Sequence, residues 1–114
     1  MKASQLPLPD PAQAIERWVG ANPVWSRVTA QLTRYAVPVY MVGGSVRDAL
    51  CGVKGQDLDL AVDGKAIDLG RALADALGAA FYVMDREHDV CRVIVQHEGS
   101  RHHVDLAGLR AQGI

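Results

Sequence analysis

Two aspartates one residue apart, Asp57 and Asp59, stand in "DLDLAV" at the end of "GGSVRDALCGVKGQDLDL". Strand side chains alternate, so both carboxylates project from one face while Leu58, Leu60 and Val62 take the other. Side by side the two acids repel, and a strand interior is a poor place for Asp. A cation would relieve that repulsion. Mg²⁺ is the natural candidate, because it is held by one or two carboxylates with substrate phosphates and water completing its shell. The plainer alternative is a solvent-facing edge strand with two harmless acids.

Upstream, Gly43-Gly44 lies between an apolar run and a predicted helix start. Backbone N–H groups there are unpaired and sit at the positive end of the helix dipole, where they can hold an anion. Gly44 has no Cβ and lets a phosphate come close. Ser45 and Arg47, in the first turn, could add a hydroxyl and a guanidinium to the same anion. A tight strand-to-helix turn without a ligand would use the same glycines. The two signals meet because a short helix and the turn "GVKG" bring the acidic strand back beside the first one. Triphosphate on the glycines and a metal on the aspartates would together support metal-assisted nucleotidyl transfer.

The elements that must position these residues follow from period and punctuation. "PAQAIERWVGA" and "PVWSRVTAQLTRY" have helical spacing, with Pro in the first turn of each. The first ten residues read as a loose arm, and Trp18 and Trp25 as packing residues. "VPVYMV" (37–42) is an apolar run expected to be a buried strand. "SVRDALCG" is expected to be a short helix opened by a near capping box from Ser45 to Asp48 and closed by Gly52. "DLDLAV" is a strand, and "AIDLGRALADALG" is a helix that presents Ala66, Leu69, Leu73, Ala76 and Leu77 on one face. "AAFYVM", "VCRVIVQ" and "RHHVDLA" read as three more strands. The order β-α-β-α-β-β-β predicts an α+β domain, a mixed sheet with helices on one face, preceded by two short helices. Residues 1–36 form the arm and brace, and residues 37–114 the head.

Composition excludes several classes. At 114 residues, 49% hydrophobic and 22% charged, the chain is one ordered domain at most. No apolar run approaches the roughly 20 residues of a bilayer span, and the polar start is no signal peptide. Cys51 and Cys91 have no zinc or redox spacing and read as free thiols, which places the protein in a reducing cytoplasm. A net charge of −1 argues against a protein that coats nucleic acid. The distribution is uneven: residues 1–56 carry +3 and residues 57–114 carry −4, with the change of sign at Asp57. His102 and His103 fall on opposite strand faces and make no histidine metal cluster. Asp85, Glu87 and Asp89 read as a charged hairpin turn. There is no P-loop and no nucleophile elbow.

The stretch from Gly43 to Asp59 resembles the signature GGxVRDxLLGxxxxDxDxxx of class II tRNA nucleotidyltransferases, the CCA-adding enzymes, and bacterial poly(A) polymerases. Gly43, Gly44, Val46, Arg47, Asp48, Leu50, Gly52, Asp57 and Asp59 match; Cys51 replaces a Leu, and Ser45 falls on a variable position. The resemblance continues more weakly through "HVDLAGLR". It implies a polymerase-β-like catalytic head that moves CMP or AMP from CTP or ATP to an RNA 3′ end, with tRNA the expected acceptor. By the same resemblance Gly43, Gly44, Ser45 and Arg47 contact the nucleotide, and Asp57 and Asp59 bind Mg²⁺. Asp105 becomes a candidate third carboxylate, which could assist the metal or deprotonate the attacking hydroxyl. A plain surface role for it stays open. Asp48 is expected to tie the helix start or orient Arg47. The family's RRDFT-like segment, base-reading neck, body and tail are not in the sequence, so the chain is expected to be a fragment of a longer enzyme or an unusually short relative. Two other functions fit the residues: a minimal nucleotidyltransferase acting on a small molecule or protein, and a non-catalytic nucleotide-binding module.

Overall fold

A computed structural model describes residues 10–112. Helices α1 (Pro11–Gly20) and α2 (Pro23–Leu32) come first, then β1 (Val39–Met41), α3 (Gly43–Cys51), β2 (Asp57–Val62) and α4 (Ala66–Leu77). Strands β3 (Ala80–Asp85), β4 (Val90–His97) and β5 (Ser100–Gly108) follow, with a short 3₁₀ turn at Arg110–Gln112. The arm expected over the first ten residues lies, except for Asp10, outside the described residues. Asp10 caps α1 by accepting from the Ala12 N–H at 2.9 Å, and Asn22 caps α2 by accepting from the Val24 N–H at 2.9 Å.

The five strands form one mixed sheet in the order β1-β2-β5-β4-β3. Only the central β2–β5 pair is parallel; the other three pairs are antiparallel. Because side chains alternate, Leu58, Leu60, Val62, Cys91, Val93, Val95, Val104 and Leu106 all enter one core. There they meet Val24, Trp25, Val28 and Leu32 of α2 and Ala66, Leu69, Leu73 and Ala74 of α4. Full burial of such aliphatic side chains contributes about 1.5–3 kcal/mol each. The helical brace therefore shares its core with the sheet. Trp18 and Trp25 are packing residues, as expected: their rings stack at 5.9 Å, and the Trp18 indole N–H donates to the Val53 carbonyl at 2.7 Å. That bond ties α1 to the loop leading into β2.

Two close approaches lock α4 to the sheet. A Cβ on Gly70 would collide with the Cys91 Sγ, so glycine in mid-helix lets α4 settle onto β4. Cys91 donates to the Ala66 carbonyl at 3.3 Å, and burial pushes its thiol up to about 12, so it is an inert packing group. The N-terminus of α4 has no local cap, since Lys65 at that position makes no side-chain bond. Asp89 supplies the cap from the β3–β4 turn, accepting from the Ala66 and Ile67 N–H groups at 2.7 and 2.9 Å. Asp89 thus sits in the hairpin turn expected of it, and its side chain turns back onto α4 in a structural role that the sequence does not announce. Its φ of 53° suits Asp or Asn. Losing a cap typically costs about 0.5–2 kcal/mol, and here two donors lose their partner. Asp89→Ala is expected to lower unfolding stability by about 1–2 kcal/mol in urea titration, and Asp89→Asn by less, because its amide oxygen still accepts.

Candidate active site

The face of the sheet opposite the core carries the polar residues, arranged in rows by strand register. Asp59 lies opposite Asp105, Asp105 opposite Arg92, and Arg92 opposite Tyr82. In the next row Asp57 lies opposite His103 and His103 opposite Ile94. The β1–β2 pairing brings the end of β1 beside Asp59, with the Val42 N–H donating to the Asp59 carbonyl at 2.9 Å. The glycine turn and both aspartates therefore share one region of this outer face.

The turn itself differs from the expected one. Helix α3 starts at Gly43 rather than Ser45, and its N-cap, Val42, makes no side-chain bond. Ser45 is instead 2% exposed, and its hydroxyl donates to the Val42 carbonyl at 2.9 Å while accepting from the Asp59 N–H at 3.1 Å. It clasps the helix start to β2, and both bonds engage its hydroxyl away from solvent. Gly43 has φ +66°, a conformation L side chains rarely adopt, and a Cβ there would stand 3.2 Å from Asp59 Oδ2. On Gly44 a Cβ would stand 3.5 Å from Arg47 Nη2 and 3.9 Å from Asp59 Oδ2. The exposed Arg47 guanidinium thus lies over Gly44, and the Asp59 carboxylate is the anion seated at the turn. Asp48 does not tie the helix start: its carboxylate reaches the turn before β2, 2.9 Å from where a Gly55 Cβ would be.

The three carboxylates are held in different ways. Burial raises the Asp59 carboxyl above the usual range, and the neighbouring charges of Asp105 and Asp57 push the same way; the N–H groups of Ser45 and Gly44 oppose them. Asp57 is exposed and its Oδ1 lies 3.1 Å from His103 Nδ1. Asp105 is not a free third carboxylate. Arg92 donates to both of its oxygens, at 2.7 and 3.0 Å, and this bidentate pair raises the arginine's own pKa. Among the described residues no group of three or more His, Cys, Asp or Glu side chains converges as a metal cage. The donor set is two hard carboxylates carrying excess negative charge. Such a set fits Mg²⁺, which keeps water and phosphate ligands, better than it fits a metal held by protein alone. Arg92 and His103 were not singled out as site residues in the sequence. The signal for Arg92, a charge amid the alternating "VCRVIV", gains meaning only once the β4–β5 register places it across from Asp105.

The chain is similar to known proteins in sequence and in fold. The model of the poly A polymerase head domain matches residues 39–114. The chain belongs to this family. A CC-adding tRNA nucleotidyltransferase of Geobacter sulfurreducens is 39% identical over 61 residues, covering 54% of the chain and 14% of that enzyme. An A-adding tRNA nucleotidyltransferase of Halalkalibacterium halodurans is 48% identical over 40 residues, covering 35% of the chain and 9% of that enzyme. Among solved structures, a CCA-adding enzyme in an apo form superposes with a TM-score of 0.69 at 25% identity, covering 90% of the chain and 24% of the enzyme. A tRNA nucleotidyltransferase complexed with primer tRNA and an incoming ATP analogue superposes at 0.60 with 26% identity, covering 76% of the chain and 24% of that one. The family's head fold, a mixed five-stranded sheet with four α-helices, is thus present here; the chain spans well under a third of the length of these relatives.

The raised Asp59 carboxyl has a consequence for stability. An acid that binds its proton more tightly folded than unfolded favours the fold below its unfolded pKa, and that contribution is lost as pH rises through the folded value. At neutral pH the ionised Asp59 is a net cost without metal. Asp59→Asn is therefore expected to melt higher than wild type at pH 7 in chelator, the gap closing as pH falls below the ordinary aspartate range. Thermal melts at both pH values check this. The glycines separate in the same assay: Gly43→Ala, forced into the left-handed region, is expected to lose about 1–2 kcal/mol, while Gly44→Ala melts like wild type.

Proposed function

We propose that the chain is the catalytic head of an enzyme that transfers CMP or AMP from CTP or ATP to the 3′ end of RNA, with tRNA as acceptor. The observation that carries the reading is the convergence of the glycine turn with Asp57 and Asp59 on one face of the sheet. Membership of the poly A polymerase head family and the likeness to CC-adding and A-adding enzymes support it. With tRNA and an ATP analogue bound to one structural relative, RNA and a nucleoside triphosphate are the partners we propose here. The grip on RNA is assigned to segments beyond the head, because a net charge of −1 offers little phosphate neutralisation. No helix among the described residues is long and apolar enough to cross a membrane. With both cysteines free, a reducing cytoplasm is the proposed compartment.

Each residue has a task in this proposal. Asp57 and Asp59 would hold Mg²⁺, which when bound neutralises charge on the triphosphate and orients the attacking oxygen. The N–H groups of Gly43 and Gly44 and the Arg47 guanidinium bind the triphosphate, in the place where Asp59 supplies the anion now. Ser45 acts indirectly, by fixing the turn against β2. Asp105 holds Arg92 and keeps a compensated charge pair beside Asp59.

The direct test uses a full-length enzyme carrying this head, labelled CTP and ATP, and tRNA lacking its 3′ terminal nucleotides. Label is expected to enter the RNA, and Asp57→Ala or Asp59→Ala is expected to abolish incorporation without unfolding the head, since neither side chain lies in the core. Undiminished incorporation by either variant contradicts the metal assignment. In calorimetry Arg47→Ala is expected to weaken CTP and ATP binding equally, by roughly 10- to 150-fold for a charge-assisted contact worth about 1.5–3 kcal/mol. Unequal loss would mean that Arg47 reads the base.

A further inference from the structure

Each carboxylate of the outer face has its own locating partner: the glycine turn for Asp59, Arg92 for Asp105 and His103 for Asp57. We propose that His103 is the positioning residue for Asp57, donating from Nδ1 to Oδ1 and leaving the second oxygen for a divalent cation. The inference rests on the reading of Asp57 as a cation ligand.

The argument starts from what is rigid and what is not. Asp57 is the first residue of β2, and its side chain is 66% exposed, so nothing in the packing selects its rotamer. His103 lies on β5, the central strand of the sheet, and is in register with Asp57 on one side and Ile94 on the other. Its N–H donates to the Gln56 carbonyl at 2.8 Å, which fixes the backbone beside the aspartate. One residue earlier, His102 is 7% exposed and its ring meets Trp25 edge-on at 5.2 Å. That anchor commits His102 to the core, so alternation delivers His103 to the outer face. A carboxylate oxygen accepts, so the contact at 3.1 Å has Nδ1 of the imidazole as its donor. Outer partners of this kind, which orient a ligating group by hydrogen bonding, typically carry 10- to 100-fold in metal affinity.

The test titrates Mn²⁺ into the full chain and counts free ion by its electron paramagnetic resonance signal. His103→Ala is expected to weaken Mn²⁺ binding roughly 10- to 100-fold, with thermal melting unchanged. His103→Asn, whose amide can donate from a similar place, is expected to restore much of the affinity. In an Asp57→Ala background, removing His103 is expected to change nothing further. Affinity within twofold of wild type in His103→Ala, or equal losses with and without Asp57, overturns the inference while leaving the cation reading in place. A wild-type chain that binds no Mn²⁺ overturns both.

Discussion

The pairing of β2 with β5 is the interaction on which the rest of the structure depends. These two strands are far apart in sequence and run parallel, so the chain must cross through α4, β3 and β4 before β5 can enter between β2 and β4. Their register has consequences on both faces. Towards the core it brings Leu58, Leu60 and Val62 beside Val104 and Leu106, with α2 and α4 packed over them. On the other face it sets Asp59 against Asp105 and Asp57 against His103. A slip of one residue would expose the leucines and bury the acids. Core burial and the geometry of the site are thus set by a single register, and the hydrophobic pattern enforces it.

Placing three aspartates on one face creates an electrostatic problem that the fold resolves unevenly. Asp105 is neutralised by a bidentate arginine, a short and directional pair. Asp57 stays in solvent, beside an imidazole. Asp59 has the least relief: it is partly buried, lies between two other acids, and receives only backbone N–H groups of the glycine turn. Its raised carboxyl marks where positive charge is missing. In the proposed function this imbalance is what gives the face its affinity for a cation and, beside it, the glycine turn its affinity for phosphate. The left-handed backbone at Gly43, which favours glycine, and the approach of Asp59 to it belong to the same compromise.

Much of this was legible in the sequence because period and punctuation agree over most of its length. The α-helices and strands fall within a few residues of those expected, since Pro11, Pro23, Gly52 and Gly78 mark helix ends and "DLDLAV" alternates cleanly. Strand β1, expected to be buried, is instead an edge strand with Tyr40 exposed. The start of α3 was misread because Ser45 has the composition of a local cap, whereas its hydroxyl bridges Val42 and Asp59. Asp89 lies in the hairpin turn the sequence indicates, but its role is not legible there: it caps α4 across the chain, and no local pattern announces a long-range cap. The pairing of Asp105 with Arg92 is not legible in the sequence, because the two meet only through strand register. Local signals fix the elements; contacts between elements have to be seen.

The central claim is that the glycine turn and the two aspartates of the outer face form one metal and nucleotide site. Paramagnetic broadening measures it directly. Backbone amide resonances of the isotopically labelled chain would be followed by NMR as substoichiometric Mn²⁺ is added with CTP. The account predicts that broadening centres on residues 43–45 and 57–59, extends to 103–105, and disappears when excess Mg²⁺ competes. Broadening centred instead on the acidic turn at residues 85–89, or none near Asp57 and Asp59, would contradict it.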